Sequence, residues 1–375
     1  QGSKNAPQLF GRLSAMATRI TQATIGQAIM RQSTYTDDPV AVIAGSTHGV
    51  QLVVTKLVLL WVVMGISLAF PKGQLGNMVC WVGHDIVVDS VAGVVICTIK
   101  ADFMDQLLRT TEDLLKGNVI AMKDLRSYAG SANHVANMIW AWRPFLSELW
   151  AAIETGTATD HKSNAPVNCV WTSQVRSTLE WLRAFMTGEQ GTVERRWYVA
   201  QYIKKFPDLL FIFDASPWGL GGVLVEKGRA ILYFSDRLTE DDERYVGCQR
   251  GTADGQQAWE ALAVLAGMRA WKHYWQFMRS SLALKGDNIT ALTMALQLRA
   301  PPGPVKAIAR ELALDYAEAS FEPSAATHVP GVANSIADVL SRRFDPDSAP
   351  WQVPSFLSTA TEIKLPARSP SYYRL

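Results

Sequence analysis

The sequence predicts a multidomain α/β protein, and three observations support that fold class. The chain has 375 residues, 48% of them apolar, which is enough for two to four compact units with buried cores. Between residues 101 and 156 the apolar positions return every three or four residues, as they do in helices. From residue 205 three strand-like runs precede alternating helices and strands, the order expected of one compact α/β domain.

Bulk charge and cysteine content narrow the function classes. The formal net charge is +2, from 36 Lys and Arg against 34 Asp and Glu, so any basic groove has to come from local clustering. The four cysteines lie far apart without a C-x-x-C pair, which argues against a zinc site and against a disulfide framework. A reducing compartment fits this cysteine usage. The first residues lack signal-peptide features, so we expect an intracellular location, cytoplasmic or nuclear, and a piece of a longer protein.

The first zone, residues 1–90, mixes helix-like and strand-like stretches. The helix-like stretch is "LSAMATRITQATIGQAIM" (13–30), and the strand-like runs are "VAVIAG" (40–45) and "MVCWVGHDIVV" (78–88). The most apolar stretch, "LVLLWVVMGISLAF" (57–70), is shorter than the roughly 20 residues that cross a bilayer. We therefore expect a buried helix there, with a break near Gly65, and no membrane span.

Two adjacent carboxylates, Asp37 and Asp38, lie between strand-like runs in "STYTDDPVAVIAG" (33–45). The residues alone leave two interpretations open, a metal-binding turn in an enzyme or a solvated Asp-Asp-Pro turn between two strands.

The second zone, residues 91–156, is predicted to be helical, with helices over 101–118 and 122–156 punctuated by Gly117 and Gly130. Residues 157–204 are predicted to form a polar linker followed by a helix over 173–186. The stretch "WAWRPFLSELW" (140–150) offers aromatic and Arg groups that could stack on nucleic acid, although Trp at such spacing is more often packing. The tail, residues 345–375, is rich in Pro and Ser and has no clear periodicity.

Four carboxylates in the C-terminal zone occupy informative positions. Asp214 ends an apolar strand, Glu260 lies in an apolar helix, Asp287 joins a strand to a helix, and Asp338 lies in the last helix. If the four converge, their mutual repulsion demands a cation, and oxygen-only ligands suit Mg²⁺ or Mn²⁺. Two such ions about 4 Å apart can activate water and stabilise a leaving oxygen in phosphodiester cleavage. His328 precedes Asp338 and is placed to move protons nearby.

Each carboxylate also has an ordinary structural interpretation. Asp214 could be a turn residue, Glu260 a helix-surface charge, Asp287 a helix N-cap and Asp338 a solvated helix position. Glu243 and Asp254 compete with Glu260 for the second acidic position.

The sequence segments around these carboxylates resemble those of a known family. In order they read "FDASPWGLGGVL" (213–224), "WEALAVLAGMRAW" (259–271), "GDNITAL" (286–292) and "HVPGVANSIADVLSRR" (328–343). This series resembles the ribonuclease H domain of retroelement reverse transcriptases of the LTR or DIRS-like kind. The resemblance implies a ribonuclease-H-like domain over residues 205–344, with a mixed five-stranded sheet flanked by helices.

The resemblance also implies a site and its partners. Asp214, Glu260, Asp287 and Asp338 would hold two Mg²⁺ or Mn²⁺ ions, and His328 would assist catalysis. The activity implied is endonucleolytic cleavage of RNA in an RNA–DNA hybrid, with Asn288, Arg342 and Arg343 contacting nucleic acid.

Earlier segments resemble the polymerase that precedes this nuclease in the same family. "YTDD" (35–38) resembles the Y-x-D-D turn of the polymerase palm, which implies that Asp37 and Asp38 are metal ligands and that Tyr35 contacts nucleic acid. "LFGRLSAMATRITQA" (9–23), "SLAFPKGQLG" (67–76) and "VCWVGHDI" (79–86) resemble segments that contact the primer-template or the triphosphate. The residues implied there are Gly11, Arg19, Lys72, Trp81 and Gly83. By the same resemblance residues 1–90 are the C-terminal part of a palm, and residues 91–156 are thumb and connection.

One departure from the family limits the polymerase interpretation. The family's palm needs a third carboxylate on an earlier strand, and residues 1–34 contain no Asp or Glu. We therefore expect an incomplete polymerase site and no primer extension by this chain alone. A catalytically inactive, element-derived nucleic-acid-binding protein is the alternative. An integrase or transposase is disfavoured, because those enzymes resemble a three-carboxylate pattern with different flanks.

Overall fold

The structure is a computed structural model that describes residues 6–157, 165–203, 207–276, 280–319, 321–348 and 350–374. The chain divides into two compact units, Gln1–Val88 and Asp89–Leu375. Parts of the predicted linker (158–164) and the predicted start of the nuclease domain (205) lie outside the described residues.

The first unit contains two helices and two hairpins. Its elements are α1 (Ala6–Ile25), β1 (Met30–Tyr35), β2 (Asp38–Ile43), α2 (Thr47–Val63), β3 (Met78–Trp81) and β4 (His84–Asp89). Strand β1 pairs with β2, and β3 pairs with β4, both antiparallel. The predicted helix over 13–30 is displaced, because Gly26, with φ +97°, follows the end of α1 and the chain then enters β1.

The expectation of a buried helix over 57–70 is wrong in its burial. Helix α2 ends at Val63 and Gly65 adopts φ +72°, which confirms the predicted break. However, only Val53 of α2 is buried, while Leu59 and Val63 are 58% and 83% exposed. The helix packs on α1, where Trp61 Nε1 donates to Thr21 Oγ1 at 2.8 Å. Among the described residues, no helix combines the length and apolarity needed to cross a bilayer.

The second unit begins with a largely helical part. Its elements are β5 (Val94–Ile99), α3 (Ala101–Lys116), β6 (Val119–Ala121), α4 (Met122–Met138), α5 (Arg143–Thr157), β7 (Cys169–Trp171), α6 (Thr172–Thr187), β8 (Glu194–Tyr198) and α7 (Val199–Ile203). The helices over 101–118 and 173–186 are confirmed, and Gly117 ends α3 as predicted. Gly130 does not interrupt the helix, because it lies inside α4. A Cβ added at Gly130 would meet no atom within 4 Å.

Three short strands of this part, β6, β7 and β8, had no signal in the sequence. Strand β6 pairs with β7 at least 48 residues away, and β8 pairs with the still more distant β5. Such pairings leave no local turn signature, and three-residue strands are too short to show an alternating pattern.

The rest of the second unit is a layered α/β domain. Its elements are β9 (Leu209–Ala215), β10 (Gly219–Glu226), β11 (Arg229–Arg237), α8 (Glu240–Val246), α9 (Gln256–Ala270), β12 (Leu282–Gly286), α10 (Ile289–Gln297), α11 (Pro304–Ala319), β13 (Ala325–His328), α12 (Ser335–Ser341) and β14 (Thr361–Glu362). The sheet order is β13-β12-β9-β10-β11-β14. The element order agrees with the sequence prediction, but the sheet has six strands rather than five because the tail adds β14 beside β11.

Two glycines allow helices to lie directly on the sheet. A Cβ at Gly267 of α9 would fall 2.2 Å from the ring of Phe211 on β9. A Cβ at Gly221 of β10 would fall 2.5 Å from the carbonyl oxygen of Ala337 on α12. Both contacts exclude any larger residue, and they fix α9 and α12 close to the strand that carries Asp214.

The tail is a folded part of the domain. Leu357 is buried with residues of the sheet and α12, and Tyr373 stacks on Tyr245 with ring centroids 3.8 Å apart. Arg368, which is 3% exposed, donates to both carboxylate oxygens of Asp242 at 3.0 Å. These contacts depend on single side chains rather than on a repeat, so the sequence pattern of the tail did not reveal them.

Candidate functional site

The strand topology brings two aspartates to one edge of the sheet. Asp214 is the penultimate residue of β9, and Asp287 directly follows β12. The two strands are neighbours and parallel, with Lys285 opposite Ile212, so each aspartate lies two residues beyond this register pair. Because parallel strands end at the same edge, the fold places these carboxylates side by side.

Helix α9 supplies the third carboxylate. The helix packs on β9, and every residue from Ala258 to Met268 is buried, Glu260 included. One carboxylate oxygen from each of Asp214, Glu260 and Asp287 lies within 4.8 Å of the others. In the part of the chain that the structure describes, this is the one group of three metal-ligating side chains that meets so closely.

Asp214 is held from two directions. Ser341 Oγ donates to its Oδ2 at 2.6 Å, and Asn334 Nδ2 donates to its Oδ1 at 3.4 Å. Burial, with a smaller contribution from the charges of Asp287 and Asp338, raises the pKa of Asp214 to about 7, although the hydrogen bond from Ser341 opposes the shift. The carboxylate is therefore oriented by its neighbours but costly to ionise without a cation.

Glu260 has an unpaired oxygen in a buried position. Its Oε1 accepts a hydrogen bond from Gln256 Nε2 at 3.0 Å, whereas its Oε2 has no partner among the described residues. Burial, together with the charges of Asp214 and Asp287, raises the pKa of Glu260 well above its usual value. A buried, unpartnered carboxylate oxygen beside two further carboxylates fits a bound cation, and the all-oxygen donor set suits Mg²⁺ or Mn²⁺.

Of the three candidates for the second acidic position, the structure brings only Glu260 into the group with Asp214 and Asp287. Glu243 pairs with Arg250 at 3.0 Å, and Asp254 is exposed, so neither joins the cluster. Glu260 is 3% exposed, which makes its interpretation as a helix-surface charge wrong.

Asp338 and the residues around Asp287 have other contacts. Asp338 Oδ1 accepts from Arg342 Nε at 2.6 Å and lies outside the group of three, although its charge adds to the raised pKa of Asp214. His328 is exposed, with its Nε2 3.1 Å from the carbonyl oxygen of Asp287. Asp287 is not the N-cap of α10, because Asn288 holds that position and accepts from the backbone N–H of Ala291.

In the first unit the other carboxylate pair lies at a hairpin tip. Tyr35 pairs with Asp38 across the turn, and Thr36 adopts φ +54°. Asp37 and Asp38 are both exposed, and the described residues bring no further metal-ligating side chain close enough to complete a group of three. Trp81 Nε1 donates to the backbone oxygen of Asp38 at 2.8 Å, which joins the two hairpins of the unit.

The remaining residues selected from the sequence lie at the surface of the first unit. Gly11 and Arg19 are exposed on α1, and Lys72 is exposed on a short turn of helix at Phe70–Lys72. Gly83 forms the tip of the β3–β4 hairpin with φ +76°.

The aromatic stretch over 140–150 is mainly packing. Trp142 is fully buried. Trp140 lies beneath two guanidinium groups, Arg195 at 3.6 Å and Arg143 at 4.4 Å from its ring centroid. These cations cover the ring that nucleic acid would otherwise use for stacking.

Sequence reasoning missed Ser341 and Asn334 as partners of Asp214. Both lie inside the quoted stretch over 328–343, yet 127 and 120 residues separate them from Asp214. No local spacing relates residues so far apart, and only the packing of α12 on β9 and β10 brings them together.

Comparison with solved structures finds viral reverse transcriptases. A foamy viral protease-reverse transcriptase in complex with double-stranded DNA, described as dRH, matches at 16% identity and a TM-score of 0.40, over 88% of this chain and 50% of that one. The foamy viral protein with an RNA/DNA hybrid matches at 15% identity and 0.39, over 94% and 41%, and another complex with double-stranded DNA at 18% and 0.37, over 80% and 54%. The chain thus spans about half the length of these structures. No family model and no curated protein matches the sequence.

Proposed function

We propose that the domain over residues 205–344 cleaves the RNA strand of an RNA–DNA hybrid with the help of divalent cations. The observation that carries this proposal is the convergence of Asp214, Glu260 and Asp287 within 4.8 Å, with one buried oxygen of Glu260 left unpaired. The whole chain is then a C-terminal fragment of a retroelement reverse transcriptase, with a truncated palm, a helical thumb and connection, and a ribonuclease H domain.

The roles of the side chains follow from their contacts. Asp214, Glu260 and Asp287 would hold Mg²⁺ or Mn²⁺, which supplies water activation and stabilisation of the leaving oxygen when bound. Ser341 and Asn334 keep the carboxylate of Asp214 in one orientation. His328, next to Asp287 and open to solvent, is placed to move a proton, and recognition of the 2′-hydroxyl would distinguish RNA from DNA.

A second candidate is an inactive protein that keeps the fold and binds nucleic acid. The ion pair between Asp338 and Arg342 favours it, because this pair occupies a carboxylate that the family resemblance assigns to the metal site. In both cases the hairpin carboxylates Asp37 and Asp38 form an incomplete polymerase site.

The experiment is a cleavage assay on an RNA–DNA hybrid with Mg²⁺ or Mn²⁺. We expect cuts that leave 3′-hydroxyl and 5′-phosphate ends, and a loss on the order of 100-fold or more in Asp214→Asn, because the variant lacks one anionic ligand. Glu260→Gln should behave in the same way.

The matched control is Asp254→Asn, which removes an exposed carboxylate just before α9 and should cleave as the parent does. Parent protein that binds the hybrid without cutting it would contradict the nuclease and support the inactive binder. Equal losses in Asp254→Asn and Asp214→Asn would show that the cluster has no special role.

A further inference from the structure

Strand register places an arginine at the same edge of the sheet as the acidic cluster. Strands β9 and β11 both run antiparallel to β10, so both end at that edge. Gly221 of β10 lies opposite Asp214 on one side and opposite Ser235 on the other, and Arg237 follows two residues after Ser235. Arg237 is the last residue of β11, and its side chain is exposed.

The separation between Arg237 and Asp214 suits one strand of nucleic acid. Two strand spacings across the sheet and two residues along β11 give about 12 Å between the two Cα atoms. Along one strand of a duplex, successive phosphates advance by about 3.4 Å of helix axis, so this distance covers a few phosphates.

Charge distinguishes Arg237 from Arg342 and Arg343, the two arginines that the sequence selects as phosphate contacts. Arg342 is paired with Asp338, and Arg343 is paired with Glu362. No ion pair joins Arg237 to a carboxylate within the described ranges of the chain. Its positive charge is therefore the one of the three that its surroundings leave uncompensated.

An aromatic ring supports the guanidinium. The guanidinium carbon of Arg237 lies 5.4 Å from the ring centroid of Phe344. Phe344 packs closely on Gly219, the register partner of Arg237. A Cβ added at Gly219 would lie 3.2 Å from the Phe344 ring. This contact restricts the side chain while leaving its donors open to solvent, an arrangement suited to an oxyanion.

We propose that Arg237 binds a backbone phosphate of the hybrid, a few nucleotides from the bond that is cut. The inference rests on the proposed function, since it assumes that a hybrid lies across this edge. It also differs from the sequence-based choice of Arg342 and Arg343, whose charges are already used within the protein.

The test is hybrid binding in EDTA at several salt concentrations, which needs no catalysis. In Arg237→Ala we expect the slope of log K against log salt to become shallower by about 0.9, because one phosphate contact fewer releases one counterion fewer. The loss should be similar for hybrids of different sequence, and Arg237→Lys should keep most of the slope.

Arg229→Ala is the matched control, since Arg229 is the exposed first residue of β11 at the opposite edge. Its slope should equal that of the parent. If Arg237→Ala binds with the parent's slope, the phosphate contact is overturned, whatever the cleavage assay shows. Arg237→Gln, which keeps the packing of the side-chain stem on Phe344, repeats the test if the alanine variant does not fold.

Discussion

Two regions of the second unit bury carboxylates, and they differ in whether an arginine pairs with the buried charge. At the tail, Asp242 and Glu311 are completely buried, and each is met by arginine. Arg368 donates to Asp242, and Arg269 donates to Glu311 at 2.6 Å. At the acidic cluster, Asp214 and Glu260 are almost as buried, but no arginine or lysine pairs with either among the described residues.

The difference shows where the chain relies on its own cations. A buried carboxylate needs a partner, and Asp242 and Glu311 each have an arginine of the same chain as theirs. Arg342, which lies close enough to lower the pKa of Asp214, is paired with Asp338 instead. Three carboxylates gathered without a paired arginine or lysine among the described residues form a group that could hold a metal ion.

The largest expected effect comes from breaking the arginine-compensated region. Arg368→Ala should lower the free energy of unfolding by about 3–5 kcal/mol, because it leaves Asp242 buried without a counter-charge. Urea denaturation measures this change.

Arg244→Ala serves as the control for this variant. Arg244 lies on α8, the helix that also carries Asp242, the partner of Arg368. It pairs with Asp241 at the surface, where the two side chains are 71% and 30% exposed. Its loss should cost less than about 1 kcal/mol. If the two variants lose equal stability, the tail network is no more than a set of surface contacts.

The acidic cluster should make the stability of the folded chain depend on pH. The pKa of Asp214 is raised in the folded state to about 7 from 3.8, so between these values the folded chain keeps a proton that the unfolded chain has released. The contribution of Asp214 to stability without divalent cations is therefore fully present below about pH 4 and is lost as the pH rises towards 7, each unit of pKa difference contributing about 1.4 kcal/mol.

Comparison with Asp214→Asn isolates this contribution, because asparagine does not ionise. The variant should show a smaller decline in denaturation midpoint between pH 4 and pH 7 than the parent. Mg²⁺ should reduce the decline in the parent but not in the variant, since the ion stabilises the folded state that binds it. Identical profiles for parent and variant, with and without Mg²⁺, would contradict the comparison drawn above.

The two regions also differ in how far the sequence predicts them. The family resemblance implies the three members of the acidic cluster together with Asp338, which lies outside the group of three. Asp214 and Asp287 lie at the ends of recognisable strands, and Glu260 lies in an apolar helix. The tail network could not be expected from the sequence, since Arg368 and Asp242 lie 126 residues apart in segments without periodicity. Ionic partners follow from packing, and a single sequence holds no record of which arginine meets which carboxylate.

The same limit applies within the site. The resemblance implies that Arg342 is one of the nucleic-acid contacts, and the structure pairs it one helical turn back with Asp338, a local possibility that spacing alone does not decide. The burial of α2 was overestimated for a related reason. An apolar run predicts a helix, but how much of that helix is covered depends on the elements around it.

The smallest expected effect concerns the exposed pair in the first unit. Asp37 and Asp38 are neighbours at a hairpin tip and are exposed, and no third carboxylate joins them among the residues that the structure describes, so the pair creates no need for a cation. Asp37→Asn should change the free energy of unfolding by no more than about 0.5 kcal/mol. It should leave the Mg²⁺-dependent stabilisation of the chain intact, in contrast to Asp214→Asn.

A primer-extension assay completes the test, since two carboxylates without a third should give no templated synthesis. Templated extension by the parent that disappears in Asp37→Asn would show that the hairpin pair holds catalytic metal without burial, and that convergence of three carboxylates is not required in this chain.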